Sequence, residues 1–346
     1  MAMELLELYR AMARARAFEV VVAGLWRRGL VSGEMHLGTG EEAVVAGVVS
    51  HLVEGDALAL DHRPTPALVI RGLDPVSLVR EMLGREDGLC RGRGGHMHLF
   101  SPEHLSASSG IVGAAAPTGA GFALAAKRLR PGSVAVAFVG EGAMNQGMVL
   151  ETLNLAVVWQ LPLVLVCKDN GWAITTRSEA VTAGDLRDRA AAFDLPAERI
   201  DGLDVEAVSD AAGAAVERAR RGEGPSFLQA TCVHLDAHFL GDPLLRTARR
   251  PVREGREVLG SVVRAAVRPS GATLPARTAS VAHLLGLLAD ARGDGRDGER
   301  DPLQVARTAL ERRGLEWQSI DREAADEMAG VADAALKDAD DALVDA

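Results

Sequence analysis

Apolar and polar positions follow the clearest pattern between Val134 and Thr176. The short apolar run Val134–Val139 predicts a buried strand, and apolar residues at roughly helical spacing follow it. Pro162 ends that predicted helix, and the apolar run Leu163–Val166 predicts a second strand. Because strand, helix and strand in this order form a βαβ unit, the pattern indicates a buried parallel sheet.

The rest of the chain carries the same mixture of patterns. It predicts helices over residues 3–29, 41–52, 119–129, 185–193, 204–221, 302–313 and 321–337, and strands over residues 58–60 and 226–231. We therefore predict an α/β fold, with a mostly parallel central sheet, helices on both faces, and helical extensions at the N-terminus and the C-terminus.

Composition narrows the class of protein. The chain has 346 residues, a formal net charge of −10 and three scattered cysteines without C-x-x-C spacing. The negative charge argues against a nucleic-acid surface, which needs clustered Lys and Arg. No apolar run is long enough to cross a membrane, and the N-terminus shows no signal-peptide pattern. We expect a cytoplasmic protein that binds neither nucleic acid nor membrane.

Polar residues follow both strands of the βαβ unit. Glu141 lies between Gly140 and Gly142 after the first strand, and Asn170 follows the second. In open α/β sheets ligands bind at the carboxyl ends of the strands. A carboxylate and an amide oxygen suit magnesium or calcium, and glycines let the backbone approach a ligand closely. The spacing predicts a metal-bridged diphosphate site.

Several segments together resemble one known family. They are Gly140-Glu141-Gly142, Asn145-Gln146-Gly147, Asp169-Asn170-Gly171-Trp172, Gly33–Ala43, Arg91–Leu99 and Gly110–Ala114. The chain resembles the alpha subunit of the thiamine diphosphate-dependent 2-oxo acid dehydrogenases, of the pyruvate, acetoin and branched-chain type. The resemblance runs from about Tyr9 to Pro243 and returns over the last segment. It implies the thiamine diphosphate-binding fold.

The resemblance also implies the residues of a site. Those expected to contact thiamine diphosphate are His62, Arg63, Gly110, Val112, Gly140, Glu141, Gly142, Ala143, Asn170 and His238. Magnesium is expected on Glu141, Asn170 and the backbone carbonyl of Trp172. His238 is the expected catalytic residue.

Some positions depart from the family pattern. Glu141 stands where the family has aspartate, and the longer side chain makes calcium or manganese an alternative to magnesium. The other departures lie by resemblance around the same cavity: His62, Thr65, His96, Val233 and Phe239. These changes favour the interpretation that the donor or the acceptor of the reaction differs from that of the family.

Three further expectations rest on local patterns. His36 lies in a loop that we interpret as positioning the site, and His96 and His98 are expected to support the structure because no third zinc ligand follows at a recognisable spacing. Lys168 and Asp169 are expected to pair with each other. Two prolines within three residues, Pro64 and Pro66, are expected to stiffen the loop after the first strand.

We divide the chain into four parts. Residues 1–55 form an N-terminal helical segment, 56–248 the diphosphate-binding α/β domain, 249–300 an insertion that we expect to be flexible, and 301–346 the C-terminal helices. A docking role for the insertion is the alternative.

Three functions remain open from the sequence. The first is the alpha component of a two-chain enzyme that cleaves a 2-oxo acid or ketose and passes the acyl unit to a lipoyl thiol. The second transfers a two-carbon, glycolyl-type unit to an acyl carrier protein. The third is a non-catalytic paralogue that stabilises the beta chain. The resemblance implies a beta subunit that supplies the pyrimidine-binding domain in an α2β2 heterotetramer, and a lipoyl-bearing acyltransferase or a carrier protein as acceptor.

Overall fold

The computed structural model describes residues 4–241 and 300–337, with a few single positions between 273 and 286. The helices are α1 (Leu5–Arg27), α2 (Glu42–Val49), α3 (Thr65–Arg71), α4 (Pro75–Met82), α5 (Ala115–Leu129), α6 (Gly147–Val158), α7 (Ser178–Val181), α8 (Leu186–Ala191), α9 (Val205–Arg220), α10 (Pro302–Arg312) and α11 (Gln318–Leu336). The strands are β1 (Ala57–Leu60), β2 (Phe100–Ser101), β3 (Ser106–Ser108), β4 (Ala135–Gly140), β5 (Leu163–Asp169), β6 (Trp172–Ala173), β7 (Thr176–Arg177), β8 (Ala197–Ile200) and β9 (Ser226–Thr231). Most of the predicted insertion lies outside the described residues.

Seven strands form one sheet in the order β2-β3-β1-β4-β5-β9-β8. Only the β2–β3 pair is antiparallel, and every other neighbouring pair in this sheet of the described residues is parallel. β4 and β5 pair over six positions, from Ala135 with Leu163 to Gly140 with Lys168. The predicted α/β class, the mostly parallel sheet and the βαβ unit are confirmed.

Alternate side chains of the strands point to two separate layers of helices. Leu58, Val136 and Val164 face one layer, which includes α1, α2, α3, α4 and α9. Ala59 and Ala137 face the other, which includes α5, α6 and α8. Because both faces are covered, the central strands are apolar at nearly every position rather than at every second one.

Small residues let α5 lie close to the sheet. A Cβ atom added at Gly119 would lie 2.6 Å from the Cβ of Ala137 on β4. The position therefore needs glycine for space, and this contact fixes the depth at which α5 packs.

The two ends of the described chain pack together. Apolar residues of α1 share a core with residues of α10 and α11, including Leu8, Met12, Leu310 and Ile320. Tyr9 donates to Asp321 at 2.6 Å, and α1 contacts α11 over its length through further ion pairs. Asp301 caps α10 by accepting from the amide of Leu303, as the sequence predicts.

Two local expectations differ from the structure. The two prolines expected in a loop after β1 instead lie at the start of a helix, because α3 begins at Thr65 with Pro64 at its N-cap and Pro66 in its first turn. Glu141–Asn145 forms a turn of 3₁₀ helix before α6 begins, so the polar segment after β4 is more ordered than a simple loop.

No helix among the described residues is both long and apolar enough to span a membrane.

Candidate functional site

The residues expected in the site lie at or after the carboxyl ends of parallel strands. His62 and Arg63 follow β1, Gly110 and Val112 follow β3, Glu141 follows β4, Asn170 follows β5, and His238 follows β9. Carboxyl ends of parallel strands meet at one edge of a sheet, where ligands bind in this class of fold. The topology therefore gathers residues that are far apart in sequence at one edge.

Glu141 and Asn170 lie side by side at the ends of β4 and β5. The Oε2 atom of Glu141 is 3.4 Å from both the backbone nitrogen and the Nδ2 atom of Asn170. Its other oxygen accepts from the hydroxyl of Ser178 at 3.0 Å. The Oδ1 atom of Asn170 accepts from the amide of Trp172 at 3.1 Å, so this oxygen is already part of a tight turn.

Glu141 is buried, with 1% of its surface exposed. Burial, reinforced by the nearby charge of Asp169, raises the pKa of its carboxyl to about 7. The ion pairs found among the described residues include none to Glu141. A buried carboxyl with hydrogen bonds but without a cation is a chemically suitable ligand for a hard divalent ion. The pair Glu141 and Asn170 thus fits a metal, although Glu141 replaces the family's aspartate.

Arg63 is buried and clamps two loops. One terminal nitrogen donates to the carbonyl oxygen of Leu37, and the other donates to the carbonyl oxygen of His238 at 2.6 Å. Its Nε atom is buried and has no hydrogen-bond partner in the part of the chain that the structure describes. A guanidinium carries five N–H donors, so donors remain for an anion while both carbonyl contacts are kept.

Four histidines surround the same space. His36 and His62 have ring centroids 5.0 Å apart, and His36 and His238 have centroids 4.9 Å apart. Nδ1 of His36 lies 3.1 Å from Nε2 of His96. His36 and His96, which we interpreted as supporting residues, therefore lie in the same cluster as the predicted site residues His62 and His238.

A buried set of charges lies beneath the cluster. Nζ of Lys168 is 2.5 Å from Oε2 of Glu41 and 3.1 Å from Oδ1 of Asp61. Burial alone would lower the pKa of Lys168, but the carboxylates of Asp61 and Glu41 outweigh it and raise the pKa above its usual value. The expected pairing of Lys168 with Asp169 is wrong, because Asp169 instead accepts from Nε2 of Gln229 at 2.7 Å.

The segments expected to approach the cofactor differ in exposure. Val112 is 56% exposed and its neighbour Ile111 is 62% exposed, whereas Ala143 is buried. A Cβ atom on Gly110 would lie 3.0 Å from the sulfur of Met97, and one on Gly142 would lie 2.9 Å from the Cβ of Ala173. Gly142 therefore lacks room for a side chain, whereas the flexible Met97 side chain could move away from a Cβ atom at Gly110.

A comparison with known proteins now gives the family. The family model described as dehydrogenase E1 component matches residues 10–258 of the chain, which is well over half of its length. The chain belongs to the dehydrogenase E1 component family. The resemblance that the motifs indicate is confirmed.

Curated relatives of this E1-family chain are alpha subunits. The alpha subunit of acetoin:2,6-dichlorophenolindophenol oxidoreductase from Cupriavidus necator is 43% identical over 240 residues, which are 69% of this chain and 72% of that protein. The corresponding subunit from Bacillus subtilis is 41% identical over 237 residues, covering 68% of this chain and 71% of its own. The pyruvate dehydrogenase E1 component subunit alpha of Zymomonas mobilis is 39% identical over 259 residues, which are 73% of each chain.

Sequence reasoning missed one organising residue of this E1-family chain. Glu81, on α4, is buried and accepts from the backbone amides of Cys90, Gly92 and Gly94 at 2.6–2.8 Å. A carboxylate that holds three amides fixes the glycine-rich loop that carries His96. The sequence signal for this role is a glutamate on an otherwise apolar helix face, followed by a glycine-rich loop whose backbone amides need acceptors.

Thr65 links two helices and a loop. It stands where the family has a histidine, and its hydroxyl donates to Oε1 of the fully buried Glu19. The other oxygen of Glu19 accepts from the amide of Gly38 at 3.3 Å. Thr65 therefore connects α3 to α1 and to the loop that carries His36.

Proposed function

We propose that this chain is the alpha component of a two-chain thiamine diphosphate enzyme. The enzyme decarboxylates a 2-oxo acid and passes the acyl unit to a thiol, and a lipoyl-bearing acyltransferase is the acceptor partner that we favour. The alpha subunits named among the relatives support this function over transfer to a carrier protein and over a non-catalytic role. A cytoplasmic location is part of the proposal.

The contact between Glu141 and Asn170 carries the proposal. A buried carboxylate and a side-chain amide meet at the ends of two neighbouring parallel strands. This donor set suits a magnesium ion that also binds a diphosphate, and calcium or manganese are alternatives because glutamate reaches further than aspartate. The carbonyl oxygen of Trp172 is the proposed third protein ligand.

Other residues at the edge would hold the organic cofactor. Bound thiamine diphosphate supplies a nucleophilic carbon for attack on the carbonyl of the 2-oxo acid. Arg63 and His238 would bind the diphosphate, with His62 beside them, through N–H donors of Arg63 that its two carbonyl contacts do not use. Gly140, Gly142 and Ala143 would bring backbone close to the phosphates, and Gly110 and Val112 would contact the aminopyrimidine ring.

His238 is the proposed catalytic residue of this chain. Burial, together with the charge of Arg63, lowers the pKa of its imidazole to about 3. The ring is therefore neutral near pH 7, and in this form it can donate a hydrogen bond to a reacting group or accept one from it.

Exposure of the pyrimidine segment supports a second chain. Ile111 and Val112 are more than half exposed although they are apolar and lie beside the proposed cofactor position. A beta subunit that supplies the pyrimidine-binding domain would cover them, and the family pattern makes the assembly an α2β2 heterotetramer. The cofactor would then be held between the two chains.

Calorimetric titration of the chain together with its beta partner tests the proposal. Thiamine diphosphate is added with magnesium present and with magnesium removed by a chelator. We expect binding that requires the metal and that weakens at least about tenfold in Asn170→Ala, since the amide oxygen is a proposed ligand. Arg63→Ala is expected to weaken binding as well, with some loss of stability because its two carbonyl contacts disappear.

Asn154→Ala is the matched control, because Asn154 is an exposed asparagine on α6. It is expected to bind the cofactor as the unchanged chain does. Binding that is indifferent to magnesium, calcium and manganese alike, or that survives unchanged in Asn170→Ala, would overturn the proposed site.

A further inference from the structure

A hairpin that follows Asn170 brings a serine hydroxyl to Glu141. Its two short strands, β6 and β7, pair Trp172 with Arg177. The Cζ atom of Arg177 lies 4.3 Å from the ring centroid of Trp172, in a cation–π contact across the hairpin. Ser178 follows β7 directly and begins α7. The closed hairpin therefore returns the chain to the carboxylate at the end of the neighbouring strand β4.

The hydroxyl of Ser178 engages one of the two carboxylate oxygens of Glu141. It donates to Oε1 at 3.0 Å, whereas Oε2 faces the side chain of Asn170 at 3.4 Å. The backbone of Ser178 is held as well, because its amide donates to the carbonyl oxygen of Gly171 at 3.0 Å. A hydroxyl on a fixed backbone sets the direction in which the carboxylate points.

The number of oxygens that a carboxylate offers affects which ion it suits. Calcium accepts carboxylates through one oxygen or through both, and takes about six to eight oxygen ligands. Magnesium is smaller and requires a nearly octahedral shell with ligands at about 2.0–2.1 Å. With Oε1 engaged by Ser178, Glu141 presents only Oε2 to an ion beside Asn170. Ligation through one oxygen suits the compact shell of magnesium.

We propose that Ser178 is a positioning residue of the metal site, which restricts Glu141 to ligation through one oxygen and so favours magnesium over calcium. The inference rests on the proposed function, because it takes Glu141 and Asn170 as ligands of the ion that binds the diphosphate. It goes further by selecting one ion and by assigning a role to a residue outside the set of ligands.

The test measures binding of the metal rather than turnover. The chain with its beta partner is freed of metal by a chelator and titrated with magnesium or with calcium in a calorimeter. Thiamine diphosphate is present at a fixed, high concentration, and the heat of metal binding to free cofactor is subtracted.

Ser178→Ala should weaken magnesium binding by about 10-fold to 100-fold, as is usual when a ligating carboxylate loses its hydrogen bond. Calcium should be affected less, because both oxygens of Glu141 are then free to bind it. The preference for magnesium over calcium should therefore fall by about tenfold. Ser178→Thr keeps the hydroxyl and should restore both the affinity and the preference.

Thr182→Ala is the matched control on the same segment. Thr182 is partly buried like Ser178, but its hydroxyl accepts from Nδ2 of Asn145 at 2.8 Å. The variant removes a hydroxyl near the site without removing the contact to Glu141. It should bind both ions as the unchanged chain does.

A second background tests the reach of the carboxylate. Aspartate lacks one methylene group, so in Glu141→Asp a carboxylate that stays beside Asn170 lies farther from Ser178. Adding Ser178→Ala to Glu141→Asp should then change magnesium affinity little. A role of Ser178 in the hairpin alone would weaken binding equally in both backgrounds.

The proposal is overturned if Ser178→Ala binds both ions as the unchanged chain does, if it weakens both ions equally, or if Thr182→Ala has the same effect. Asn170→Ala separates the two proposals. Metal binding that is lost in Asn170→Ala but unchanged in Ser178→Ala supports the proposed function and overturns only the positioning role. Absence of metal binding in the unchanged chain overturns both.

Discussion

At the scale of single residues, the buried charges around Lys168 hold three loops together. Glu41 contacts Lys168 through one oxygen and lies 2.9 Å from Nε2 of His234 through the other. Asp61 precedes the proposed site residues His62 and Arg63. The charges therefore connect the start of α2, the end of β1 and the loop after β9, which all border the site.

Removal of the lysine charge should destabilise the whole fold. In Lys168→Met, Glu41 and Asp61 stay buried without their cation, and we expect the free energy of unfolding in urea to fall by about 3–5 kcal/mol. Lys337→Met, at an exposed lysine, should cost little. Adding Glu41→Gln to Lys168→Met should recover part of the loss, because one of the stranded charges is gone. A loss below about 1 kcal/mol in Lys168→Met would show that the ion pair is not essential.

Glu19 makes stability depend on pH. It is fully buried, and burial is the main cause that raises the pKa of its carboxyl to about 7, with the charge of Glu42 adding to it. The unfolded chain has the ordinary, lower value, so between the two values the folded state binds more protons. Protonated Glu19 therefore contributes its full share of the folding stability at acidic pH. This stabilisation is lost as the pH rises to about 7.

The variant Glu19→Gln isolates this effect. Between about pH 5 and about pH 8 the unchanged chain should lose about 3 kcal/mol of stability that Glu19→Gln does not lose, because a tenfold change in proton affinity corresponds to about 1.4 kcal/mol. Unfolding in urea at several pH values measures the difference. Glu86→Gln, at an exposed glutamate, should follow the unchanged chain. Parallel pH profiles of Glu19→Gln and the unchanged chain would contradict the buried neutral carboxyl.

At the scale of elements, two glycines of α5 give a matched comparison. A Cβ atom at Gly119 would lie 2.6 Å from Ala137, whereas a Cβ atom at Gly121 would have no atom of the described residues within 4 Å. We expect Gly119→Ala to lower stability by about 1–3 kcal/mol, because α5 must move away from β4. We expect Gly121→Ala to raise stability by about 0.5–1 kcal/mol, because alanine loses less chain entropy in a helix. Thermal unfolding of both variants gives the comparison, and equal effects would contradict the close packing of α5.

The elements were predictable where their patterns are local. The runs that form β4 and β5 and the proline that ends α6 carry their own signals, and so does the aspartate cap of α10. The 3₁₀ turn at Glu141 and the helix that begins at Thr65 were not predictable, because prolines and glycines suit loops and helix starts equally.

At the scale of the whole molecule, the chain should carry only part of an active site. No second α/β domain for the pyrimidine is present among the described residues, and the apolar segment Ile111-Val112 is exposed. We expect the purified single chain to be inactive in decarboxylation of 2-oxo acids and to gain activity on addition of its beta chain. A decarboxylation assay with and without the partner measures this. Activity of the single chain would contradict the two-chain assembly.

Which residues meet across the molecule was only partly predictable. The βαβ topology alone predicts that Glu141 and Asn170 meet, because neighbouring parallel strands end side by side. The meeting of His36 with His96, or of Lys168 with Glu41, depends on loops that lie more than 50 residues apart and whose paths no local pattern specifies. For that reason the sequence predicts only that the site lies at the carboxyl edge of the sheet. The histidine cluster and the buried charges at this edge are visible only in the structure.

The packing of α1 against α10 and α11 has a consequence for synthesis on the ribosome. α1 is translated long before α10 and α11, which cover part of its apolar surface. At about 5–20 residues per second, the nascent chain must wait roughly 15–60 s before these partners leave the exit tunnel. During that time the apolar residues of α1 that α10 and α11 cover are open to solvent, to chaperones and to neighbouring nascent chains. This part of the fold is therefore completed only after α10 and α11 have been made, and a ribosome that stops before their codons releases a chain in which α1 lacks these partners.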